Sequence, residues 1–296
     1  MPENYWRSQL RQATLKDSFS LDGVGVHRGK VCSVTVKPAD QDTGIIFFRS
    51  DKGGSGFQNE KIVASYDNVE NATMCTQISN ENGASLKTIE HLMAALYGMK
   101  VSNAIIEVQG EEIPILDGSS LRFVEQISRV GIKRQMRSRK ILKVLKKIKV
   151  TDGDKFEEIE PFDGVEINAK CDFEAKGLKT DPVTFNFSKN NFVSKIAPAR
   201  TFGFVSEAEY VKKHNLALGA SLKNTVIYND KGIPLNDDGL RFENESARHK
   251  VLDIIGDLAL SQYWIQGRIN CFCPSHKLNN ILLRMLFASA ENYEIL

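Results

Sequence analysis

The chain repeats one order of elements, and this repeat limits the folds that it can adopt. In each half, short runs of strand-forming residues bounded by turn residues accompany stretches with helical periodicity. A chain of 296 residues is long enough for two domains of roughly 100 to 200 residues each. Two halves of similar order predict an α+β fold built as a duplicated sandwich.

The predicted elements can be named by their sequence. Strands of the first half lie in SVTVKPAD, GIIFFRSD and NAIIEVQG, and its helices in SLKTIEHLMAALYG and SSLRFVEQISRVG. Strands of the second half lie in VEINAK, VTFNFS and NTVIYN. Its helices lie in SEAEYVKKH and NESARHKVLDIIGDLALSQ, and a closing strand precedes a last helix at KLNNILLRMLF.

A strongly basic segment, residues 133–150, separates the two halves. Charge runs usually mark solvated faces, so we interpret the segment as a linker that runs into an exposed strand. A surface for anionic lipid or a diphosphate is the alternative. The predicted domains are an N-terminal domain at 1–134 and a C-terminal domain at 141–296, joined by a linker at 135–140.

The composition, 42% hydrophobic and 26% charged residues, is that of an ordinary globular protein and excludes a disordered chain. A formal net charge of only +2 argues against a nucleic-acid-binding protein, which usually carries a basic excess. The N-terminus MPENYWRSQL lacks a signal-peptide pattern, and no apolar stretch approaches the roughly 20 residues that span a bilayer. We expect a cytoplasmic protein without integral membrane contact, and we expect it to be monomeric.

The cysteines are expected to be reduced thiols. Five of them, an odd number in a chain of this size, do not form a disulfide framework. Cys271 and Cys273 flank a single residue, whereas paired zinc ligands are usually separated by about two to four residues. We therefore do not expect this pair to hold zinc.

The first helix with candidate chemistry carries Glu90 and His91 in a sequence that is otherwise apolar nearly all round. A single histidine in apolar company is more often a hydrogen-bonded core residue than a ligand. The adjacent carboxylate favours a functional site instead.

The longest helix carries His249, Asp253 and Asp257 at intervals of four residues, so the three lie on one stripe. This stripe could be the wet face of an amphipathic helix. An imidazole and a carboxylate one turn apart can also grip one metal ion. Because catalytic zinc commonly takes three protein ligands and leaves a fourth position for water, a histidine from a second helix would complete such a set.

Other catalytic motifs are absent from the sequence. H-E-x-x-H does not occur, and H-x-x-E-H fails because Lys87 stands in place of its first histidine. G-x-S-x-G, G-x-x-x-x-G-K-[ST] and G-x-G-x-x-G are also missing. These absences disfavour zinc peptidases, serine hydrolases, nucleoside triphosphatases and dinucleotide enzymes, so a metal-activated water is the best-supported chemistry.

Seven segments, in the family's order and over nearly the whole chain, resemble the UDP-3-O-acyl-N-acetylglucosamine deacetylases. They are ATLKDSFSLDGVGVHRGK, TIEHLMAALYG, PILDGSSLRFVE, APARTFGFVSEAEY, LALGASLKNTVIYND, LRFENESARHKVLDIIGDLAL and SHKLNN. The resemblance implies two β-α-α-β sandwich domains packed through their helices, with one zinc ion between them. It also implies an acylated UDP-amino sugar as substrate and a place in lipid A synthesis.

The resemblance further implies the metal ligands and the general base. The family motif T-x-E-H makes Glu90 the base and His91 a ligand. The motif R-H-K-x-x-D-x-x-G-D adds His249 and Asp253 as the other two ligands. Zinc is the expected cofactor, and ferrous iron could bind the same three residues.

The remaining implied roles concern proton donation and substrate contact. His276 would protonate the leaving amine or stabilise the intermediate, with Asp257 keeping it charged and oriented. Thr201 would donate a hydrogen bond to the developing oxyanion. Three residues are implied to contact substrate: Phe202, the sugar-proximal Lys250, and Lys155 for the diphosphate.

The chain departs from the family pattern around its last histidine. The family usually has a glycine before that histidine and a small residue after it, whereas Ser275 and Lys277 stand here. His27 is interpreted as structural or near the substrate. Cys75 is interpreted as lying close to the metal, which it could coordinate when substrate is absent.

The sequence therefore predicts a zinc-dependent hydrolase that removes the N-acetyl group of UDP-3-O-(hydroxyacyl)-N-acetylglucosamine. Two alternatives stay open: a zinc amidohydrolase acting on another amide, such as another acetylated sugar, and a non-catalytic module that binds a nucleotide sugar or lipid. An apolar groove for the acyl chain is also predicted, with core packing as its alternative. Its residues are Phe202, Val205, Ala208, Leu216, Ala217, Leu218 and Leu222.

Overall fold

The computed structural model describes residues 11–52 and 60–296 of the chain. The predicted lack of a signal peptide concerns residues 1–10, which lie outside the described residues, as do 53–59 of the predicted N-terminal domain. The described chain is a mixed α+β structure with several sheets, which confirms the predicted α+β class. Within these ranges, no helix has both the length and the apolar character needed to cross a bilayer.

The largest sheet of the first half has five strands. They are β2 (Phe19–Val24), β3 (Val31–Pro38), β4 (Ile45–Arg49), β5 (Lys61–Val63) and β9 (Ala104–Gln109). Their order is β2-β3-β9-β4-β5, with β4 parallel to β9 and the other neighbours antiparallel. Alternate side chains of β3 are buried, because only one face of the strand points into the core.

A smaller three-stranded sheet precedes the first helix. It contains β6 (Val69–Asn71), β7 (Gln77–Ser79) and β8 (Ser85–Leu86). The helices of this half are α1 (Glu90–Gly98) and α2 (Leu121–Val130). The predicted helical stretch began at Ser85, but helix α1 begins only at Glu90. The residues before it pair with β7, and Thr88 has a φ of 60°, which interrupts a right-handed helix.

The sheet of the second half has seven strands. They are β11 (Ile141–Val144), β12 (Ile148–Asp152), β13 (Lys155–Glu160), β14 (Val165–Lys170), β15 (Val183–Asn186), β18 (Trp264–Phe272) and β19 (Tyr293–Ile295). Strand β18 is central: β11 pairs with residues 264–266, and β13 and β14 both pair with the part that follows. A separate parallel pair joins β16 (Phe202–Phe204) to β17 (Val226–Tyr228).

The helices of the second half are α3 (Lys189–Asn191), α4 (Ala208–Lys213), α5 (Glu245–Leu258) and α6 (His276–Phe287). Helical turns also occupy Ser50–Lys52, Tyr66–Asn68, Glu174–Lys176, Phe192–Ile196, Val205–Glu207, Ala259–Ser261 and Ala290–Asn292. Ser275 caps α6, since its hydroxyl accepts a hydrogen bond from the Leu278 amide at 3.3 Å. This cap is a physical reason for serine at the position where the family usually has glycine.

The basic segment between the halves is mostly strand. Strand β10 (Ile132–Ser138) pairs antiparallel with β1 (Arg11–Leu15), and its basic side chains are exposed. Residues 135–138 of the predicted linker therefore lie in β10, and residues 139–140 lead into β11. The exposed strand that we predicted is present.

Helices α1 and α5 pack against each other across the two halves. Gly256 lies at their closest approach, because a Cβ atom added there would overlap the backbone carbonyl oxygen of Glu90. The buried residues of both halves form one continuous hydrophobic core around this contact. The N-terminus of α1 therefore lies directly against the turn of α5 that contains Asp253 and Asp257.

Replacing Gly256 with alanine is expected to lower the free energy of unfolding by about 1–3 kcal/mol, because the added methyl group must push the helices apart. Urea unfolding measures this change. Gly203→Ala is the matched control, since a Cβ there meets only the Ile227 side chain at 3.8 Å, an ordinary contact distance. Similar stability of the two variants would contradict the close helix contact.

Candidate metal centre and active site

Three buried side chains from two helices converge in one cluster. His91 comes from α1, and His249 and Asp253 come from successive turns of α5. His249 Nε2 lies 3.3 Å from Asp253 Oδ1, and His91 Nε2 lies 3.9 Å from the same oxygen. One ligand atom from each residue can be chosen so that all three lie within 4.8 Å of one another. The predicted ligand triad is thus brought together in space.

This cluster fits one divalent cation. Asp253 Oδ1 is buried and has no hydrogen-bond partner within the described chain, although two imidazole nitrogens face it. A buried carboxylate oxygen without a partner is costly. Two imidazoles and a carboxylate are common ligands of catalytic metals, so the cluster could hold a metal ion.

The charge states of the cluster also suit a cation. Burial lowers the pKa of His91 to about 3 and lowers the pKa of His249, so both imidazoles are neutral at pH 7. Burial alone would raise the pKa of Asp253, but Lys250, whose Nζ lies 2.8 Å from Asp253 Oδ2, and the neighbouring histidines together outweigh burial and lower that pKa. The cluster therefore offers two neutral nitrogens and one carboxylate.

A backbone carbonyl orients one of the two imidazoles. His249 Nδ1 donates to the Ala199 carbonyl oxygen at 3.0 Å, which leaves Nε2 with its lone pair facing the cluster. The next residue, Arg200, is buried and donates from Nε and from its backbone amide to Glu245 at the start of α5. This ion pair fixes the 199–202 segment against the helix that carries His249.

Glu90 lies beside the cluster with one oxygen anchored. Its Oε2 accepts the Thr76 amide hydrogen at 3.1 Å, and its Oε1 lies 3.9 Å from His276 Nε2. Burial raises the pKa of Glu90 to about 7. A carboxyl group with this pKa can accept a proton near neutral pH.

His276 is held in its protonated, positively charged form. Burial alone would lower its pKa, but Asp257 and Asp253 raise the pKa of His276 to about 10. His276 Nδ1 donates to Asp257 Oδ2 at 2.7 Å, so its Nε2 faces Glu90 and Asp253. Glu90 can therefore accept a proton and His276 can donate one, beside the cluster of His91, His249 and Asp253.

The predicted substrate residues differ in their distance from this cluster. The Phe202 ring stands edge-on to His249, with 6.3 Å between centroids, and Lys250 Nζ lies 5.7 Å from the Phe202 centroid. Thr201 follows Arg200 in the anchored segment, where its amide donates to the Gly118 carbonyl at 2.7 Å. Lys155 is exposed at the start of β13.

The other residues singled out in the sequence lie outside the ligand triad. His27 is buried, and burial lowers its pKa to about 4. Burial also raises the pKa of Cys75, which keeps its thiol protonated. Within the described ranges, the cluster of potential metal ligands contains neither Cys271 nor Cys273. Cys273 instead accepts a hydrogen bond from the Asp172 amide at 3.1 Å.

Comparison with known proteins identifies the family of this chain. The family model for LpxC, UDP-3-O-acyl N-acetylglycosamine deacetylase, matches residues 12–288. The chain belongs to this family. Relatives named UDP-3-O-acyl-N-acetylglucosamine deacetylase from Shewanella halifaxensis (41% identical), Aliivibrio fischeri (39%) and Histophilus somni (41%) align with 96% of the chain and 92% of their own lengths. The resemblance identified from the sequence is confirmed.

In this member of the deacetylase family, sequence reasoning missed two residues that support the acid–base pair. Thr76 donates one hydrogen bond from its hydroxyl to Asp257 and another from its amide to Glu90. It therefore contacts Glu90 directly and also the carboxylate that holds His276. Asn279 donates to Asp257 Oδ2 at 2.7 Å. Asn279 follows His276 by one helical turn, and this spacing was the available signal. Nothing local in the sequence indicated Thr76.

Glu157 was also missed, and it is fully buried beside the N-terminus of α6, where His276 lies. Its Oε1 accepts the Ser275 amide hydrogen at 3.2 Å, whereas its Oε2 has no partner within the described residues. Burial raises the pKa of Glu157 to about 8. The carboxyl group is therefore largely protonated at neutral pH in the folded chain.

Glu157 should make the fold less stable as the pH rises from about 5 to about 8. Its pKa is above the ordinary value of 4.5, so the folded state keeps a proton that the unfolded state releases across this range. Glu157→Gln removes this titration but keeps an acceptor for the Ser275 amide. Urea unfolding at several pH values should show wild type losing stability relative to the variant, by up to about 1.4 kcal/mol per pH unit. Parallel curves would rule out a raised pKa.

Proposed function

We propose that the chain hydrolyses the N-acetyl group of UDP-3-O-(hydroxyacyl)-N-acetylglucosamine, which gives the free amine and acetate in the committed step of lipid A biosynthesis. The observation that carries this proposal is the placement of Glu90 and His276 in opposite charge states beside a three-ligand cluster. Amide hydrolysis needs a base for water and an acid for the amine. Membership of the deacetylase family supports the substrate.

We assign the metal site to His91, His249 and Asp253, and zinc to the site. A bound zinc ion would polarise the acetyl carbonyl and lower the pKa of a water. Two nitrogens and one oxygen are a donor set that zinc accepts, and ferrous iron is the alternative in the cell. Lys250 supports the site by holding the second oxygen of Asp253.

Glu90 acts as the general base in this proposal. Its anchored carboxylate takes a proton from the water whose oxygen attacks the acetyl carbon. The pKa of about 7 suits this step, since Glu90 can be ionised before attack and protonated after it. Thr201 donates its hydroxyl to the oxyanion that forms on the former carbonyl oxygen.

His276 acts as the general acid. Its Nε2 proton passes to the amine nitrogen as the carbon–nitrogen bond breaks, which releases acetate and the free amine. Asp257 keeps the imidazolium charged and oriented through the Nδ1 hydrogen bond. Asn279 and Thr76 hold Asp257 in turn, so the acid is fixed by two layers of hydrogen bonds.

Substrate contacts surround this chemistry. We propose that Lys250 and Phe202 contact the sugar side of the substrate, and that the exposed Lys155 contacts the diphosphate. The predicted acyl groove is supported by the exposure of three of its apolar side chains, Val205, Leu218 and Leu222. The backbone amides of Leu218 and Gly219 donate hydrogen bonds to the backbone carbonyls of His27 and Val26.

The proposed architecture is two β-α-α-β sandwich domains, at 1–134 and 141–296, joined at 135–140 and packed through α1 and α5. The two large sheets and the close contact of α1 with α5 support it. We still predict that the enzyme is cytoplasmic and monomeric, and that it binds an acylated UDP-amino sugar but no nucleic acid. The net charge of only +2 supports the prediction that it does not bind nucleic acid.

Two other functions predict different results. A zinc amidohydrolase for another acetylated sugar would prefer that sugar in a competition between substrates. A non-catalytic module that binds a nucleotide sugar or lipid would bind the substrate and release no acetate. The paired charge states of Glu90 and His276 favour catalysis over binding alone.

Acetate release from the UDP-sugar substrate should require both metal and Glu90. Chelation is expected to abolish release, and one equivalent of zinc to restore it. Glu90→Gln should lower kcat by about 10²- to 10⁴-fold, because proton transfer to a positioned base is lost. Its zinc content should stay that of wild type, since Glu90 is not in the ligand cluster.

Glu111→Gln is the matched control for the base, because Glu111 is an exposed carboxylate of the same half. This variant should keep full activity. Acetate release by Glu90→Gln at the wild-type rate would remove Glu90 as the base. No release by zinc-replete wild type would remove the proposed function.

Substrates with shortened acyl chains test the groove. Each methylene removed should lower kcat/KM by up to about 4-fold, because burial of a CH₂ group contributes about 0.8 kcal/mol. Leu222→Asn should weaken this dependence, whereas Ile233→Asn, an equally exposed residue outside the predicted groove, should not. Indifference of wild type to chain length would exclude the groove.

A further inference from the structure

A cavity lies at the end of α1 away from the cluster of His91, His249 and Asp253. It has a volume of about 170 Å³ and is lined by residues of both halves. Tyr97 lines it, six residues along α1 from His91, which corresponds to about 9 Å of helix. None of the proposed catalytic, metal or substrate residues lines this cavity. The proposed deacetylation therefore does not account for it.

Two partly buried cations, Lys100 and Arg139, line this cavity. Arg139, from the basic segment between the halves, donates from Nη2 to the Lys100 carbonyl oxygen at 2.5 Å and from Nε to Ser102 Oγ at 3.3 Å. Lys100 Nζ and the Arg139 guanidinium lie 5.5 and 5.2 Å from the centroid of Trp264. Within the described ranges, neither cation forms an ion pair with a carboxylate.

Among the described residues that line the cavity, Asp42 supplies the carboxylate, and it already has other partners. Asp42 accepts a hydrogen bond from Gln12 Nε2 at 2.7 Å and pairs with Arg137 Nε at 3.0 Å. Lys140 also lines the cavity, so its cationic side chains outnumber its carboxylates by three to one. The cavity therefore keeps an excess of positive charge.

Burial of these two cations opposes their charged forms. Burial lowers the pKa of Arg139 to about 10, and burial together with the charge of Arg139 lowers the pKa of Lys100. Like charges that lose water without gaining a counter-charge oppose folding. A bound anion would offset this cost, since it would supply the charge that the described chain does not.

The shape of the cavity favours a compact anion over an aromatic one. Tyr97 stacks on Trp264 with 4.6 Å between ring centroids, and the cations lie over the Trp264 ring as well. A guanidinium and an ammonium group together are suited to phosphate oxygens, since arginine binds two oxygens in a plane and lysine acts as a point charge. The geometry points to a binding site for a small phosphate-bearing anion, held by Arg139 and Lys100 beside Trp264.

Tryptophan fluorescence tests this site without any use of deacetylase activity. The chain has two tryptophans, Trp6 and Trp264, so the Trp6→Phe variant reports on Trp264 alone. Inorganic phosphate and glycerol 3-phosphate are titrated separately into the zinc-replete variant, with sodium chloride at matched ionic strength as the blank. We expect the Trp264 fluorescence to change saturably with at least one of these two anions. The anion that binds more tightly shows whether free phosphate or a phosphate ester is preferred.

In the Trp6→Phe background, either Lys100→Gln or Arg139→Gln should weaken this binding at least 10-fold. The control Lys212→Gln, which changes an exposed lysine of α4, should leave the binding unchanged. Lys100→Gln decides the outcome if the loss of Arg139 impairs folding, because Lys100 Nζ makes no hydrogen bond within the described chain. A change that matches the chloride blank, or binding that survives Lys100→Gln, would overturn the proposal. Acetate release measured on the same samples keeps this result separate from the proposed function.

Discussion

The close contact between α1 and α5 is the constraint on which the site depends. A glycine at position 256 lets the backbone of Glu90 approach the turn that contains Asp253 and Asp257. His91 and Glu90 from one half thereby meet His249 and Asp253 from the other. Neither helix alone supplies the three-ligand cluster, so packing between the halves and assembly of the site are the same event.

Burial of this contact also sets the charge states of the site. In a buried site, loss of solvent disfavours the charged form of a group, and a nearby opposite charge favours it. Within the described part of the chain, Glu90 has no cation in hydrogen-bond contact, and burial raises its pKa to about 7. His276 has Asp257 at 2.7 Å, and its pKa is about 10. One desolvated environment thus gives Glu90 and His276, 3.9 Å apart, different proton affinities beside the three-ligand cluster.

The sequence predicted those parts of the fold and site that depend on local spacing. The stripe of His249, Asp253 and Asp257 follows from helical periodicity, and the family motifs supplied His91 and His276. Contacts between distant segments were beyond such reasoning: Thr76 meets Asp257 across 181 positions, and helix α1 begins at Glu90 because the preceding residues pair with β7. Buried Glu157 was missed for the same reason.

Anomalous diffraction at the zinc absorption edge, from crystals of the protein as purified, tests the central claim most directly. We predict one peak within about 2.0–2.2 Å of His91, His249 and Asp253 ligand atoms, with Glu90 and His276 beside it. A zinc-containing protein whose peak lies elsewhere, or a protein that takes up no metal at this cluster when zinc is supplied, would contradict the assignment of these residues and the mechanism built on them.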